Sequence, residues 1–342
     1  MQTCLHPMSV LSVVSFLLLS ASSAAAQLTP DRTYYGRHRP APMTVRVPPD
    51  LKGDVQVELL EPVSARVTAS APVAPGPINL AAAFPSLWQD VKQDSEPPKL
   101  LYAQLVVGAK KIGAPVVLQP LIDPAYCPII EDTGEPKYRP SKGVYSGLRA
   151  YPERYLVMET SMGDIQFAMR PDQAPNTVFS FLSLCQGGFY TDIIFHRIKP
   201  RHPNGSPFVI QAGDPLQLKD ASDTKAGEGG PGFSINLEPS KLPHDFGVLS
   251  MARSNLPNSG GSQFFICLSR KGTEYLDGKY TSFAQATAGD DVIQKIAASE
   301  LATGSERPKD PPVIKRCRLI DAAPYGEGPK PVALPEEKPQ SR

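Results

Sequence analysis

The chain has 342 residues, 41% of them apolar and 20% charged, which suits a folded globular protein of two ordinary domains. Its 35 Lys and Arg against 34 Asp and Glu leave a formal net charge of +1, which argues against a nucleic-acid binder built on a concentrated basic surface. Proline, at 38 residues, crowds the first 150 positions and the last 35, and so predicts turns, extended loops and unstructured ends.

In chain order, residues 1–26 read as a secretory signal peptide. Val10 to Ser20 is an apolar run, and Ala24-Ala25-Ala26 before Gln27 supplies the small residues of a cleavage site. The run is shorter than the roughly 20 apolar residues that span a bilayer. The expectation is therefore an exported protein, periplasmic or extracellular, with no stable membrane insertion once the signal is removed. Four cysteines then remain, Cys127, Cys185, Cys267 and Cys317, at wide spacings that suit neither a zinc site nor a dense disulfide framework. Cys185 and Cys267 read as buried free thiols.

Residues 27–42 are polar and punctuated by proline, and read as a linker. Over 43–122, Met43, Val45 and Val47, then Val55, Val57 and Leu59, then Leu101, Ala103, Leu105 and Val107 alternate with polar residues. Period two bounded by Gly and Pro predicts half-buried antiparallel strands, here a small β-sandwich-like domain of unknown role. Lys110, Lys111 and Gly113 suggest a hairpin into Val116 to Leu118. Residues 123–153 read as a second linker. Residues 323–342 form a Pro- and Glu-rich tail expected to be disordered.

Residues 154–322 form the second domain. Tyr155 to Thr160, Met162-Gly163-Asp164, then Ile165, Phe167 and Met169 predict strand, turn and returning strand. Pro175 suits the first position of a helix whose Val178, Phe181, Leu182 and Cys185 share one face, and Gly187-Gly188 can end it. A second helix is predicted near Asp290, carrying Val292, Ile293, Ile296 and Ala297. Between the helices, Phe195-His196-Arg197-Ile198, Phe208-Val209-Ile210-Gln211-Ala212-Gly213-Asp214, Gly247-Val248-Leu249-Ser250-Met251-Ala252, Ser262-Gln263-Phe264-Phe265-Ile266 and Leu276-Asp277-Gly278-Lys279 follow one another in this order.

Singly these blocks are weak; in this order they resemble the successive signature blocks of the cyclophilin family of peptidyl-prolyl cis-trans isomerases. The resemblance implies a mainly β protein whose 154–322 domain is a closed eight-stranded β-barrel with two helices. It implies a shallow apolar groove on the outer face, with Arg197, Gln211 and Phe208 catalytic. Val209, Ala252, Gln263, Phe265, Tyr275, Leu276 and Tyr280 would bind substrate. Proline-containing polypeptides are the implied partners, no nucleic acid, metal or cofactor is expected, and the oligomeric state is open. Departures from the family pattern are also present. About six extra residues lie within Pro200 to Pro207, and Val209 stands where methionine is usual. Tyr275 and Tyr280 stand where tryptophan and histidine occur, and Arg253 replaces a smaller polar residue.

The chemistry can be argued without the resemblance. Rotation about an amide meets a barrier of about 18–20 kcal/mol, because resonance must be broken. A catalyst needs no nucleophile; it must bind the twisted amide better than either planar form. Twisting gives the proline nitrogen a usable lone pair, and a fixed guanidinium such as Arg197 can donate to it. Alone, Arg197 would read as a surface ion-pair partner and Phe208 and Phe265 as core aromatics; their context reverses both. His196 reads as structural. Gly227, Gly229 and Gly232 match a dinucleotide motif only formally, since Pro231 interrupts it and a strand pattern follows. The alternative function is a catalytically weak binding or scaffold protein for proline-containing segments.

Overall fold

The computed structural model describes residues 27–88, 98–124, 126–127, 135–139, 144–218 and 226–334, so the signal expected at 1–26 lies outside the described residues. The chain is mainly β. Strands β1 (Gln27–Pro30), β3 (Pro42–Arg46) and β6 (Gly76–Asn79) form a three-stranded sheet in the order β1-β3-β6. Strands β2 (Tyr34–Gly36), β4 (Val55–Leu60), β5 (Val67–Pro72), β7 (Leu101–Val107), β8 (Lys110–Pro120) and β9 (Gly147–Pro152) form a six-stranded sheet in the order β2-β9-β8-β7-β4-β5.

Alternation places Met43 and Val45 of the small sheet against Val57, Leu59, Ala103, Leu105, Val116 and Leu118 of the large one. A short helix α1 (Leu80–Ala83) and the turn Pro85–Trp88 cap this core with Leu80 and Trp88. The expected domain of residues 43–122 is too narrow to describe this arrangement. Strands β1, β2 and β9 lie in stretches expected to be linkers, because strands of three to six residues with one buried side chain in each short one carry too little alternation to stand out. The β7–β8 turn also comes earlier than expected: Val107 pairs with Lys110, so Lys110 and Lys111 already belong to β8. Gly108 supplies the left-handed conformation at that turn, with φ of 60°.

Pro152 ends β9 and Arg154 begins the next strand, so one residue separates the two regions. Strands β10 (Arg154–Thr160), β11 (Gly163–Met169), β12 (Ile193–Ile194), β13 (Arg197–Arg201), β14 (Pro207–Ala212), β15 (Val248–Met251), β16 (Phe264–Cys267), β17 (Ser282–Ala288) and β18 (Val313–Asp321) form a nine-stranded sheet. Its order is β12-β18-β10-β11-β17-β15-β16-β14-β13. Helices α2 (Pro175–Gln186) and α4 (Asp290–Ala297) pack on the inner face, and a single turn α3 (Arg270–Thr273) follows β16.

The closed eight-stranded barrel expected for this region is corrected by this topology. The two edge strands, β12 and β13, are joined only by Phe195-His196, and no ladder links them. The backbone amides at that seam are taken elsewhere: Phe195 N donates to Pro312 O at 2.8 Å and Ile198 N to Glu306 O at 2.7 Å. The sheet bends around its core without closing as a ladder.

Helix α2 forms as its pattern requires. Pro175 takes the first turn, where its missing amide costs nothing, and Val178, Phe181, Leu182 and Cys185 are buried. Its first amides have no cap from Ala174; instead Glu238 accepts from Asn176 N at 3.1 Å and Thr177 N at 2.7 Å. Phe181 contacts Phe264 and Phe283, with ring centroids 5.5 and 5.0 Å away, at the centre of the core. The opposite face of α2 docks on the first region. Phe179 lies 4.0 Å from the Arg149 guanidinium, and Asn176 Oδ1 accepts from Gln119 at 2.9 Å.

The tail is ordered as far as it is described. Tyr325 packs tilted against Tyr102 with ring centroids 5.1 Å apart, its amide donates to Gln104 Oε1 at 2.9 Å, and its carbonyl accepts from Lys111 at 2.8 Å. The disorder expected over 323–342 is therefore corrected for residues 323–334, because Tyr325 and Val332 find apolar surface to cover.

Candidate active site

Strands β14 and β16 are apolar on both faces, and each face serves a different cluster. Ile210, Ala212, Phe264 and Ile266 point into the core under α2. Phe208, Val209, Phe265 and Cys267 join Leu242, Val248 and Leu276 in a separate cluster on the outside, with Ala252 and Tyr280 packed against it. That outer cluster floors a groove of about 330 Å³ lined by Arg197, Lys199, Phe208, Val209, Gln211, Ala252, Arg253, Phe265, Tyr275, Leu276 and Tyr280. Nine of the ten residues named from the sequence share it, and the tenth, Gln263, lines the adjoining cavity of about 300 Å³.

Register brings the polar residues together. β13 pairs with β14 so that Arg197 faces Gln211, and β14 pairs with β16 so that Gln211 faces Phe265. Arg197 Nη1 donates to Gln211 Oε1 at 3.1 Å, Gln211 Nε2 to Gln263 Oε1 at 3.1 Å, and Gln263 Nε2 to Gly229 O at 2.8 Å. A guanidinium only donates and a carbonyl only accepts, so both amide orientations are fixed from the two ends of this chain. Gly213, with φ of 92°, lets the end of β14 approach the segment that carries Gln263 into β16: a Cβ there would lie 2.4 Å from Ser262 O.

The extra residues after Pro200 extend the β13–β14 hairpin rather than displacing it, with Arg201 opposite Pro207. They contribute His202, whose ring lies 5.4 Å from Phe208 and 5.0 Å from Tyr275. Tyr275 stacks at 6.1 Å from Phe208, and Tyr280 meets Phe265 edge-on at 5.6 Å. Burial raises the pKa of Tyr275, so the phenol stays neutral. One supporting residue had no signal in the sequence. Glu306 accepts from Arg197 Nε at 2.5 Å and from Lys199 Nζ at 3.4 Å, yet stands more than a hundred positions away in a loop. Only the fold juxtaposes them.

Two histidines sit behind the groove and neither reaches it. His196 is buried, and desolvation depresses its pKa to about 4 against the opposing Asp214 charge, so it is neutral near pH 7. His244 is fully buried; Nδ1 lies 2.9 Å from Asp277 Oδ1 and Nε2 lies 2.8 Å from Ser250 Oγ. This resembles a hydrolytic triad in connectivity only. Ser250 is fully buried, so no substrate atom reaches its hydroxyl. The His244 ring is stacked 6.1 Å from Phe265 and braces the groove floor.

The geometry thus combines an apolar cup, an oriented guanidinium and spare amide donors. The family described as cyclophilin type peptidyl-prolyl cis-trans isomerase/CLD matches residues 155–319. Peptidyl-prolyl cis-trans isomerase-like 1 of Aspergillus fumigatus is 38% identical over 167 residues, 48% of this chain and 95% of that protein. Peptidyl-prolyl cis-trans isomerase 9 of Schizosaccharomyces pombe is 38% identical over 167 residues, 48% of this chain and 25% of that protein. Among solved structures, a Cryptosporidium parvum cyclophilin type peptidyl-prolyl cis-trans isomerase in the presence of the dipeptide Ala-Pro is similar at 31% identity. It covers 48% of this chain and 98% of that one, with a TM-score of 0.42.

The exported location expected from residues 1–26 is corrected by this comparison. The relatives are fungal isomerase and isomerase-like proteins and do not support a periplasmic or extracellular place for the chain. The physical weakness of the reading is that no Lys or Arg precedes the apolar run, so the positive start of a secretory signal is missing. Among the described residues, no helix is long and apolar enough to cross a membrane.

Proposed function

The chain belongs to the cyclophilin-type peptidyl-prolyl cis-trans isomerases, and from that premise we propose that Arg197 is the group that lowers the rotation barrier of an Xaa-Pro bond held in the groove. The observation that carries this reading is the bonded chain from Arg197 through Gln211 and Gln263 to the Gly229 carbonyl. Its effect is to hold a charged donor at the edge of an apolar cup.

The proline ring sits on Phe208, Val209, Phe265 and Leu276, where burial of its methylenes supplies binding without favouring either planar isomer. Ala252, Tyr275 and Tyr280 line the path of the flanking peptide. As the amide twists, its nitrogen loses conjugation and its lone pair becomes available. Arg197 donates to that lone pair, an interaction that exists in the twisted state and is absent from both ground states. Nε is engaged by Glu306 and one Nη1 hydrogen by Gln211, which leaves Nη2 and the second Nη1 hydrogen as donors among the described contacts. Gln211 keeps the guanidinium in plane, and Gln263 offers its remaining N–H to a peptide carbonyl. The carbonyl side of the scissile-like torsion needs no covalent partner, because no bond is made or broken.

The test is the cis-to-trans rate of a short Xaa-Pro peptide with wild type beside Arg197→Ala. Removing one oriented donor to a transition state costs about 100-fold or more in turnover, so kcat/KM is expected to fall on that scale while thermal unfolding is preserved. Full activity in a folded Arg197→Ala protein would remove the mechanism. Saturable binding of the peptide by wild type without acceleration would return the groove to the role of a binding module.

A further inference from the structure

Arg253 stands on the saddle between the proline groove and the adjoining cavity and lines both. Its guanidinium is held on three sides. Nε donates to Lys279 O at 3.0 Å, Nη1 to Ser254 O at 2.8 Å, and Cζ lies 4.4 Å above the Tyr280 ring. These contacts orient the cation without cancelling its charge, since carbonyls and a ring face contribute only partial charges.

The other cations around the groove are compensated. Arg197 and Lys199 share Glu306, and Lys279 pairs with Glu135 at 3.4 Å. Glu228 lines the far cavity and makes no ion pair with Arg253; among the described residues no carboxylate does. A fixed, uncompensated cation therefore faces the route by which a peptide leaves the proline cup.

The two cavities share Gln211, Ala252 and Arg253 as a common wall. An extended peptide advances about 3.3–3.6 Å per residue, so the first or second residue beyond the proline in that direction passes over Arg253. Resting on the isomerase reading above, we infer that the enzyme prefers substrates with an Asp or Glu within two positions of the proline, on the side that crosses Arg253. Because the guanidinium is already ordered, an acidic side chain gains the charge interaction without first immobilising the arginine.

The experiment compares peptides that differ only by Glu, Gln or Lys at each of the two positions on either side of one proline, by kcat/KM at low ionic strength. At one position Glu is expected to exceed Gln by about two- to fivefold, the range of an exposed ion pair, with Lys below Gln. The ratio should shrink towards one in 1 M salt, where the screening length is about 3 Å. Arg253→Gln should remove the Glu-to-Lys preference and Arg253→Glu should reverse it. Each ratio is internal to one protein, so a general loss of activity in a variant does not imitate the effect. A wild-type ratio of one at every position, or a ratio retained by Arg253→Gln, overturns the inference and leaves the isomerase reading intact. If wild type fails to accelerate even the Gln peptides, that reading fails and the inference with it.

Discussion

Both β regions place glutamine side chains in their sheets, and the two regions use them in opposite ways. In the first region Gln104 is fully buried in β7, beside an irregularity in its pairing with β8. Its Nε2 donates to Leu105 O, Ile112 O and Gly113 O at 3.0, 3.0 and 3.2 Å, and its Oε1 accepts from the Tyr325 amide at 2.9 Å. Every hydrogen-bonding group of that amide is spent on the chain's own backbone. In the isomerase region Gln211 and Gln263 are half-buried and linked in one direction, each with an N–H or lone pair left toward the groove. A saturated buried amide repairs a sheet; an oriented, incompletely used one in an open groove is available to a substrate.

The sharpest way to break this comparison is to exchange the expected phenotypes. Arg197→Ala, at the head of the Gln211–Gln263 chain, is expected to lose about 100-fold in kcat/KM with little change in unfolding. Gln104→Leu should do the reverse. It strands the buried Leu105 carbonyl, the part-buried Ile112 and Gly113 carbonyls and the Tyr325 amide, and an unsatisfied buried group costs about 1–3 kcal/mol. A urea titration should therefore show a loss of at least that size, with kcat/KM for a short peptide unchanged. Equal damage to turnover from both variants would dissolve the distinction between supporting and working amides.

The junction between the regions gives a third test, through pH. Glu153, the single residue between β9 and β10, has its carboxyl pushed up to about 8 by burial, with the Asp172 charge adding to the shift. Its Oε1 accepts from the Tyr102 hydroxyl at 3.4 Å, and Arg170 provides a weak opposing field. The folded protein therefore holds a proton that the unfolded chain, with an ordinary carboxylate near 4.3, releases. The Glu153 contribution is full below about pH 4.3 and declines as the pH rises towards 8, by at most about 1.4 kcal/mol per unit, against the opposite slope that the depressed His196 gives below about pH 6.5. Burial raises the Glu238 carboxyl as well, so its slope has the same sign as that of Glu153. Glu153→Gln should flatten the profile by the Glu153 share; an unchanged slope would mean that the junction carboxyl is not desolvated as described.

How much of this was legible beforehand differs between the two regions for a physical reason. Helix α2 was readable because four apolar residues share a face and Pro175 opens it, and the groove residues because they sit in compact blocks on paired strands. The strands β1, β2 and β9 were not, since each is short and its pattern rests on one or two buried residues such as Leu28, Tyr35 and Leu148. The open seam of the nine-stranded sheet was also hidden. It depends on which distant carbonyls, Pro312 and Glu306, reach the amides of Phe195 and Ile198. Glu306 joined the site by the same kind of long-range placement, which no local spacing encodes.

The smallest effect tests whether the first region touches the groove at all. The segment before β9 crosses to the isomerase region, where the Tyr138 hydroxyl lies 3.3 Å from both Glu238 O and Gly278 O, and Asn258 Nδ2 donates to Cys127 O at 2.6 Å. Glu238 caps α2, and Gly278 belongs to the loop that carries Leu276 and Tyr280 into the groove. One phenolic hydrogen serves two carbonyls at long distance, and each of those carbonyls has a second lone pair, so the bond is worth about 0.5–1.5 kcal/mol at most. Tyr138→Phe retains the ring and deletes only that hydrogen. KM for a short proline peptide is expected to rise by less than about threefold, with kcat unchanged, because the proposed mechanism assigns binding to the loop and the barrier to Arg197. A fall in kcat instead would place the crossing segment in the rate-determining geometry. No change in either constant, with stability lowered, would confine Tyr138 to fastening the two regions together.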